Sequence, residues 1–268
     1  VEDLLQGVDE RGAYDEVVAG LDLDAVTERS FGDLSGGELQ RVAIAATGLK
    51  DADLYLFDEP TSYLDITQRI KVSRFIRSLT GEDEAVMVIE HDLIVLDFLT
   101  DLVHVMYGES NAYGVTSQVK ASKQGINEYL EGYLSDEHVK FRDDEITFDR
   151  RSEQRYSEPS KVTEWSSFSH EYESFRLDVD EGSIFEKDVI GVLGENGIGK
   201  STMMKALSGE IETEATLGDV DISYKPQHLE SDDTLVRLYL DGFEQFRHSV
   251  INPLSVEPLL DKTLNNLS

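Results

Sequence analysis

Cysteine is absent from all 268 residues, which excludes disulfides, thiolate zinc sites and iron–sulfur ligation within the chain. No apolar run approaches the ~20 residues that a bilayer-spanning helix needs. Val1, Glu2 and Asp3 are not the basic-then-apolar opening of a secretory signal. A soluble cytoplasmic protein with no membrane partner is the expectation. Methionine is missing from position 1, so the natural start is expected upstream. Basic residues are scarce, with 24 Lys and Arg against 55 Asp and Glu, and the formal charge is −31. Self-repulsion of that size strains a compact state in dilute salt, and a halophilic, archaeal cytoplasm is the expected source.

What remains is enough for one large domain or two modest ones, since 40% of the residues are hydrophobic. Residues 1–134 alternate amphipathic helical stretches with short apolar strands, and residues 162–268 do so again, an α/β pattern in both halves. Residues 135–161 are crowded with charge and poor in aliphatics, and read as a hinge with one short strand at residues 145–148. Lys140, Arg142, Arg150, Arg151 and Arg155 gather there, either as a contact for a phosphate backbone or as a solvated linker balancing its own acids. A weak repeat joins the halves. Leu34-Ser35 runs into Gly36-Gly37-Glu38, and the chain stops at Leu267-Ser268, where the same motif would continue.

Gly194-Glu195-Asn196-Gly197-Ile198-Gly199-Lys200-Ser201 fits the G-x-x-x-x-G-K-[ST] phosphate loop, between an expected strand at residues 189–193 and a helix opening near Ser201. Glycines let backbone N–H groups turn inward around phosphates, and the helix aims its positive end at them. Lys200 would neutralise the β and γ oxygens, Ser201 would give a hydroxyl to Mg²⁺, and Thr202 completes the candidate ATP contacts. Tyr172 or Phe175 could stack on the adenine or belong to the core. Gln227 follows an expected short strand and could reach Mg²⁺ or the attacking water.

The apolar run at residues 54–57 delivers Asp58 and Glu59 at its end. Asp58 would hold Mg²⁺ through water, and Glu59 would polarise the water that attacks the γ-phosphate. A second apolar strand at residues 85–89 ends in Glu90-His91-Asp92, where His91 could hold that water in place. Between them a helix over residues 66–79 is expected to bury Ile66, Ile70, Phe75, Ile76 and Leu79. Ser35 and Glu38 make a capping box for a helix with Leu39, Val42, Ala43, Ala46 and Leu49 inward. Gly36 and Gly37 beside that N-terminus also leave room for a triphosphate on the backbone.

Together these motifs resemble the ABC ATPase superfamily, with P-loop NTPase-like nucleotide-binding domains. The signature falls at Ser35, Gly36 and Gly37, the Walker B strand ends at Asp58 and Glu59, the D-loop is Ser62-Tyr63-Leu64-Asp65, and His91 matches the switch histidine. In that superfamily the phosphate loop and Q-loop precede the signature, whereas here they follow His91. The resemblance therefore implies two partial cassettes, the rear of one (1–134) and the front of another (162–268), joined by a hinge at 135–161. More narrowly, the chain is similar to the ABCE family of RNase L inhibitor-like, ribosome-recycling ATPases. Val8-Asp9-Glu10-Arg11-Gly12, Gln68-Arg69 after the D-loop, Gly125-Ile126-Asn127-Glu128-Tyr129-Leu130 and Ser223-Tyr224-Lys225-Pro226-Gln227 carry that likeness.

That resemblance implies an ATPase using ATP and Mg²⁺, acting on the small ribosomal subunit with release or rescue factors, and an iron–sulfur domain that this chain lacks. It also implies that Lys200 and Ser201 face Ser35, Gly36 and Gly37 across one nucleotide, while Asp58, Glu59 and His91 serve the other site. The fragment alone is then expected to bind ATP without turning it over. An ABC ATPase of another branch, translation- or transporter-associated, and a non-hydrolysing scaffold are the rival readings. The acid surplus predicts that the thermal unfolding midpoint rises between dilute and molar potassium chloride; a midpoint unmoved by salt in calorimetry would remove the halophilic reading.

Overall fold

The computed structural model describes residues 1–109, 112–148, 160–172, 175–213, 220–226, 232–240 and 242–267. Three helices open the chain, α1 (Glu2–Gly7), α2 (Tyr14–Gly20) and α3 (Gly36–Gly48). The expected capping box starts α3: the Glu38 N–H reaches Ser35 Oγ at 3.3 Å while Glu38 Oε2 accepts from the Ser35 N–H at 2.8 Å. Two otherwise orphaned donors are thus satisfied at the helix end.

Strand β1 (Leu54–Asp58), helix α4 (Ile66–Ser78) and strand β2 (Ala85–Ile89) form a parallel crossover in which Leu54 pairs with Ala85 and Asp58 with Ile89. Helix α5 (Leu93–Leu99) follows. Asp65 caps α4 by accepting from the Gln68 N–H at 2.9 Å, and Asp92 caps α5 by accepting from the Ile94 N–H at 3.0 Å. Leu5, Leu21, Leu23, Val42, Leu49, Val72 and Ile76 make the centre of one core, which lies wholly within residues 5–99. Tyr55 and Phe57 of β1 point into it, while Leu54 and Leu56 face outward, as alternation along a strand requires.

The helical faces differ in detail from the expectation. Helix α4 buries Val72, Ser73 and Ile76, with Leu79 just beyond it, whereas Ile66 and Ile70 are exposed. Helix α3 buries Val42, Ile44 and Ala45 and turns Leu39 and Ala43 outward, because Arg41 takes an inward place by donating to the carbonyls of Leu21 and Asp22 at 2.7 and 2.9 Å. A buried guanidinium with two carbonyl partners shifts the stripe around the helix.

A small module follows, built from β3 (Leu102–Val103), β4 (Met106–Glu109), β5 (Tyr113–Thr116), β6 (Lys120–Ala121), α6 (Ser122–Glu131), β7 (Tyr133–Leu134) and β8 (Val139–Lys140). β3 pairs with β6, β4 with β5 and β7 with β8. Its polar centre is Lys120, whose buried ammonium meets Asp136 at 2.5 Å, Glu137 at 3.0 Å and Glu128 at 3.2 Å. The hydrogen bond to Asp136, outweighing burial, holds that ammonium protonated well above the ordinary lysine range. Helix α6 ends at Gly132, whose φ of 77° and 2.8 Å approach of the Arg142 carbonyl to any added Cβ leave no room for a side chain. The strand expected at residues 145–148 does not form; the Ile146 N–H bonds instead to the Leu130 carbonyl at 2.9 Å.

In the second half, β9 (Lys161–Trp165) pairs with β12 (Gly182–Phe185), and β10 (Phe168–Tyr172) with β11 (Phe175–Val179). Helices α7 (Lys200–Ser208) and α8 (Val236–Tyr239) come next. The strand expected at residues 189–193 is not one: Val189 is 85% and Leu193 97% exposed. Its apolar composition suits a strand buried between neighbours, and no described residue pairs with it, so the run stays without a ladder. The short strand expected before Gln227 is also absent at residues 221–226. Among the described residues, no helix is long and apolar enough to cross a membrane.

With Ile76 wholly enclosed, Ile76→Ala is expected to cost about 2–5 kcal/mol, by lost transfer energy plus the cavity left behind. A guanidinium titration at fixed salt reads this as a lower midpoint with unchanged slope.

Candidate nucleotide-binding site

The phosphate loop takes its shape from three glycines at positive φ, Gly194 (158°), Gly197 (80°) and Gly199 (97°). Gly199 is the most constrained, since a Cβ there would sit 2.8 Å from Phe175 Cζ and 3.1 Å from Leu177 Cδ1. Phe175, one of the two adenine-stacking candidates, is therefore the floor under the loop, and Tyr172 is the exposed member of the pair. Lys200 opens α7 and donates to the Gly194 and Glu195 carbonyls at 2.7 and 2.6 Å. Its ammonium lies inside the turn. Ser201 and Thr202 follow in the first turn of the same helix.

This loop meets the first half of the chain 131 residues away. The Asn196 N–H donates to Asp65 Oδ2 at 3.0 Å, and Asn196 Nδ2 donates to the Tyr63 carbonyl at 3.1 Å and to Gln68 Oε1 at 3.4 Å. Gly37 lies at the same junction: a Cβ there would stand 3.1 Å from the Tyr63 carbonyl oxygen and 3.7 Å from Asn196 Nδ2. A Cβ on Gly36 would touch the Tyr63 ring at 3.6 Å. Ser35, Gly36, Gly37, the D-loop and the phosphate loop thus converge on one surface. Backbone donors at two helix N-termini, α3 and α7, a lysine and hydroxyls of Ser35 and Ser201 suit a triphosphate. Hydroxyl and carboxylate oxygens are the donors a hard Mg²⁺ prefers. The Ser35 hydroxyl now donates to Glu38 Oε2 at 2.8 Å.

Partial burial works to raise the Asp65 carboxyl, but the N–H groups of Asn196, Gln68 and Thr67, with the Lys200 charge, outweigh it and hold the group below its ordinary value. The same contest sets Glu38 below its ordinary value, where the Ser35 N–H and hydroxyl, then Arg29 at 3.3 Å, overcome burial.

Asp58, Glu59 and His91 form a second cluster. Glu59 has φ of 46°, a left-handed conformation uncommon for a side-chain-bearing residue. Three elements fix it there: its N–H donates to the Ile89 carbonyl at 2.9 Å, its carbonyl accepts from Gln40 Nε2 at 3.1 Å, and Oε2 accepts from Ser62 Oγ at 3.1 Å. His91 Nδ1 stands 3.5 Å from Glu59 Oε1. Register pairing of Asp58 with Ile89 brings the ends of both strands level, so the carboxylates and the imidazole share one edge. A carboxylate beside an imidazole can polarise and hold a water. Leu64 is the D-loop's anchor in the core.

Gln227 lies outside the described residues, as do Arg150, Arg151 and Arg155 of the expected basic cluster. Arg142 is engaged within the chain: Nη2 donates to the Tyr129 and Leu130 carbonyls at 2.5 and 2.7 Å, and the guanidinium lies 5.4 Å from the Tyr129 ring centre. Lys140 pairs with Asp143 at 3.4 Å. Arg69, which carries part of the family likeness but no expected contact, donates from Nε to the Leu64 carbonyl at 2.9 Å and pairs through Nη1 with Asp92 Oδ2 at 2.5 Å. The i, i+3, i+4 spacing of Asp65, Gln68 and Arg69 at a helix start is the signal that could have shown it.

A family model described as ABC transporter matches residues 5–62 and 177–253, just over half of the chain. The chain belongs to the ABC transporter ATPase family. Within that family its likeness to proteins of the ABCE branch extends over essentially the whole of this chain. An uncharacterized ABC transporter ATP-binding protein of Methanocaldococcus jannaschii is 44% identical over 278 residues, which is 100% of this chain and 46% of that protein. ABC transporter E family member 1 of Arabidopsis thaliana is 40% identical over 282 residues, 99% of this chain and 47% of that protein. Among solved structures, a model of ribosome-bound archaeal Pelota and ABCE1 matches with a TM-score of 0.90 and 44% identity over 100% of this chain and 47% of that one. The chain spans about half the length of the curated relatives it matches.

Asp65 carries a lowered pKa, so its contribution to the junction is complete above 3.8 and is lost as pH falls through the lower folded value. Asp65→Ala at pH 7 is expected to speed hydrogen exchange of the Asn196 amide severalfold, and the wild-type amide is expected to lose the same protection only as pH falls through the lowered Asp65 pKa.

Proposed function

We propose that this chain is the middle of a twin-cassette ABCE-type ATPase, binding ATP between its phosphate loop and its signature. The observation that carries this is the hydrogen bonding of Asn196 to Asp65 and Tyr63, beside Gly37, which apposes motifs from opposite halves of the chain. In this reading residues 1–134 are the rear of a first nucleotide-binding domain, 135–161 a hinge and 162–268 the front of a second. Gly194, Glu195, Asn196, Gly197, Ile198, Gly199, Lys200, Ser201 and Thr202 bind the nucleotide, with Ser35, Gly36 and Gly37 closing on it. Ser201 and Gln227 would hold the Mg²⁺ of this nucleotide, which would supply charge stabilisation to the phosphate oxygens.

Glu59 and His91 orient the attacking water of the opposite site, where Asp58 serves the metal, while Ser62, Leu64 and Asp65 form the D-loop between the two. The whole protein couples ATP binding and hydrolysis to splitting of ribosomal subunits, working in a halophilic archaeal cytoplasm with the small subunit, its RNA and release or rescue factors. Support comes from the likeness, over the whole of this chain and about half of the matched protein, to an ABCE1 described in a ribosome-bound assembly with Pelota. The charge of −31 supports the halophilic source.

The purified chain is expected to bind ATP·Mg²⁺ without multiple turnover. Calorimetric titration checks the binding, which should fall at least tenfold in Lys200→Ala and persist in Glu59→Gln. An affinity untouched by Lys200→Ala would favour a scaffold instead, and ATP hydrolysis that vanishes in Glu59→Gln would overturn the division of residues between sites.

A further inference from the structure

The two clusters described above are not independent, because one segment, residues 62–65, touches both. Ser62 Oγ donates to Glu59 Oε2 at 3.1 Å, and the Tyr63 carbonyl and Asp65 carboxylate accept from Asn196 at 3.1 and 3.0 Å. Between them the Leu64 carbonyl accepts from Arg69 Nε at 2.9 Å, and the same guanidinium extends Nη1 to Asp92 Oδ2 at 2.5 Å. Asp92 follows His91 directly, and its other oxygen caps α5 through the Ile94 and Val95 N–H groups at 3.0 and 3.3 Å. One planar, always-charged group therefore grips the segment on one side and the residue beside His91 on the other.

We propose that Arg69 is a positioning residue that ties the placement of His91 to the contact between the phosphate loop and residues 62–65. The physical argument is stiffness. Leu64 is buried in the core, so the segment cannot shift at that point without moving its carbonyl, and Arg69 is fixed to that carbonyl. Tyr63 is held at φ of 65°, a left-handed conformation that persists only where surrounding bonds impose it. Any change at Asn196 that alters its grip on Tyr63 or Asp65 alters the carbonyl that Arg69 reads, and the Arg69–Asp92 pair carries the change to the end of β2. With Arg69 and Asp92 both only partly exposed, the pair is screened by salt less than a surface pair. The relay therefore operates in concentrated salt.

This inference rests on ATP binding at the phosphate loop, and the test separates the two. In the full chain labelled with ¹⁵N-histidine, His91 is assigned by loss of its signal in His91→Gln among the six histidines. Saturating ATP·Mg²⁺ is added at fixed pH, and affinity is measured in parallel by calorimetry. In the wild-type chain the His91 imidazole signals are expected to shift on binding. In Arg69→Gln the affinity should stay within about twofold while the His91 shift is lost, and Arg69→Lys should restore part of it. Asp92→Asn keeps an oxygen to cap α5 and removes the charge partner, so it should behave like Arg69→Gln with the helix intact. Binding without a His91 shift, or an undiminished shift in both Arg69→Gln and Asp92→Asn, would overturn the relay alone. Absence of ATP binding would overturn the nucleotide site and the relay with it.

Discussion

Hydrogen bonds from Asn196 to Asp65 and Tyr63 join two halves of the chain whose main core cluster, among the described residues, ends at Leu99. Such a junction has little hydrophobic area to rely on, so it depends on donors meeting acceptors at about 3 Å. Every feature of the surface serves that approach. Gly37 has no Cβ because one would press on the Tyr63 carbonyl, and Gly199 has none because Phe175 fills the space below. The capped helix starts at Ser35 and Asp65 set the positions of the two loops that face Asn196.

Short-range bonding also reconciles the junction with the charge of the whole. At −31, long-range electrostatics oppose any compaction of the chain, and in molar salt the screening length shrinks to about 3 Å. Bonds made at contact survive that screening, whereas steering by charge does not. Lys200, at the start of α7, is correspondingly held by hydrogen bonds to two carbonyls within its own loop.

Much of the arrangement was legible from residue order alone. Ser35 with Glu38, the strand delivering Asp58 and Glu59, and the second strand ending before His91 are each local signals, and each forms as its pattern dictates. Two kinds of feature were not legible. Residues 189–193 read as a buried strand because composition reports what a segment would do between neighbours, and composition is silent on whether neighbours are there. Arg69 and Gln68 marked the family likeness but not their contacts, because their partners lie 23 and 128 residues away in sequence. The inward turn of Arg41 escaped for a related reason: a charged residue counts as polar in any periodicity, although two carbonyl acceptors at 2.7 and 2.9 Å make burial tolerable.

Lys120 has a wider consequence. A fully enclosed ammonium with Asp136, Glu137 and Glu128 around it is a built-in counter-ion in a chain whose acids outnumber its bases. Solvent ions reach such an interior pair poorly. The single ammonium offsets one of the three carboxylate charges and ties helix α6 and the β7–β8 turn to β6.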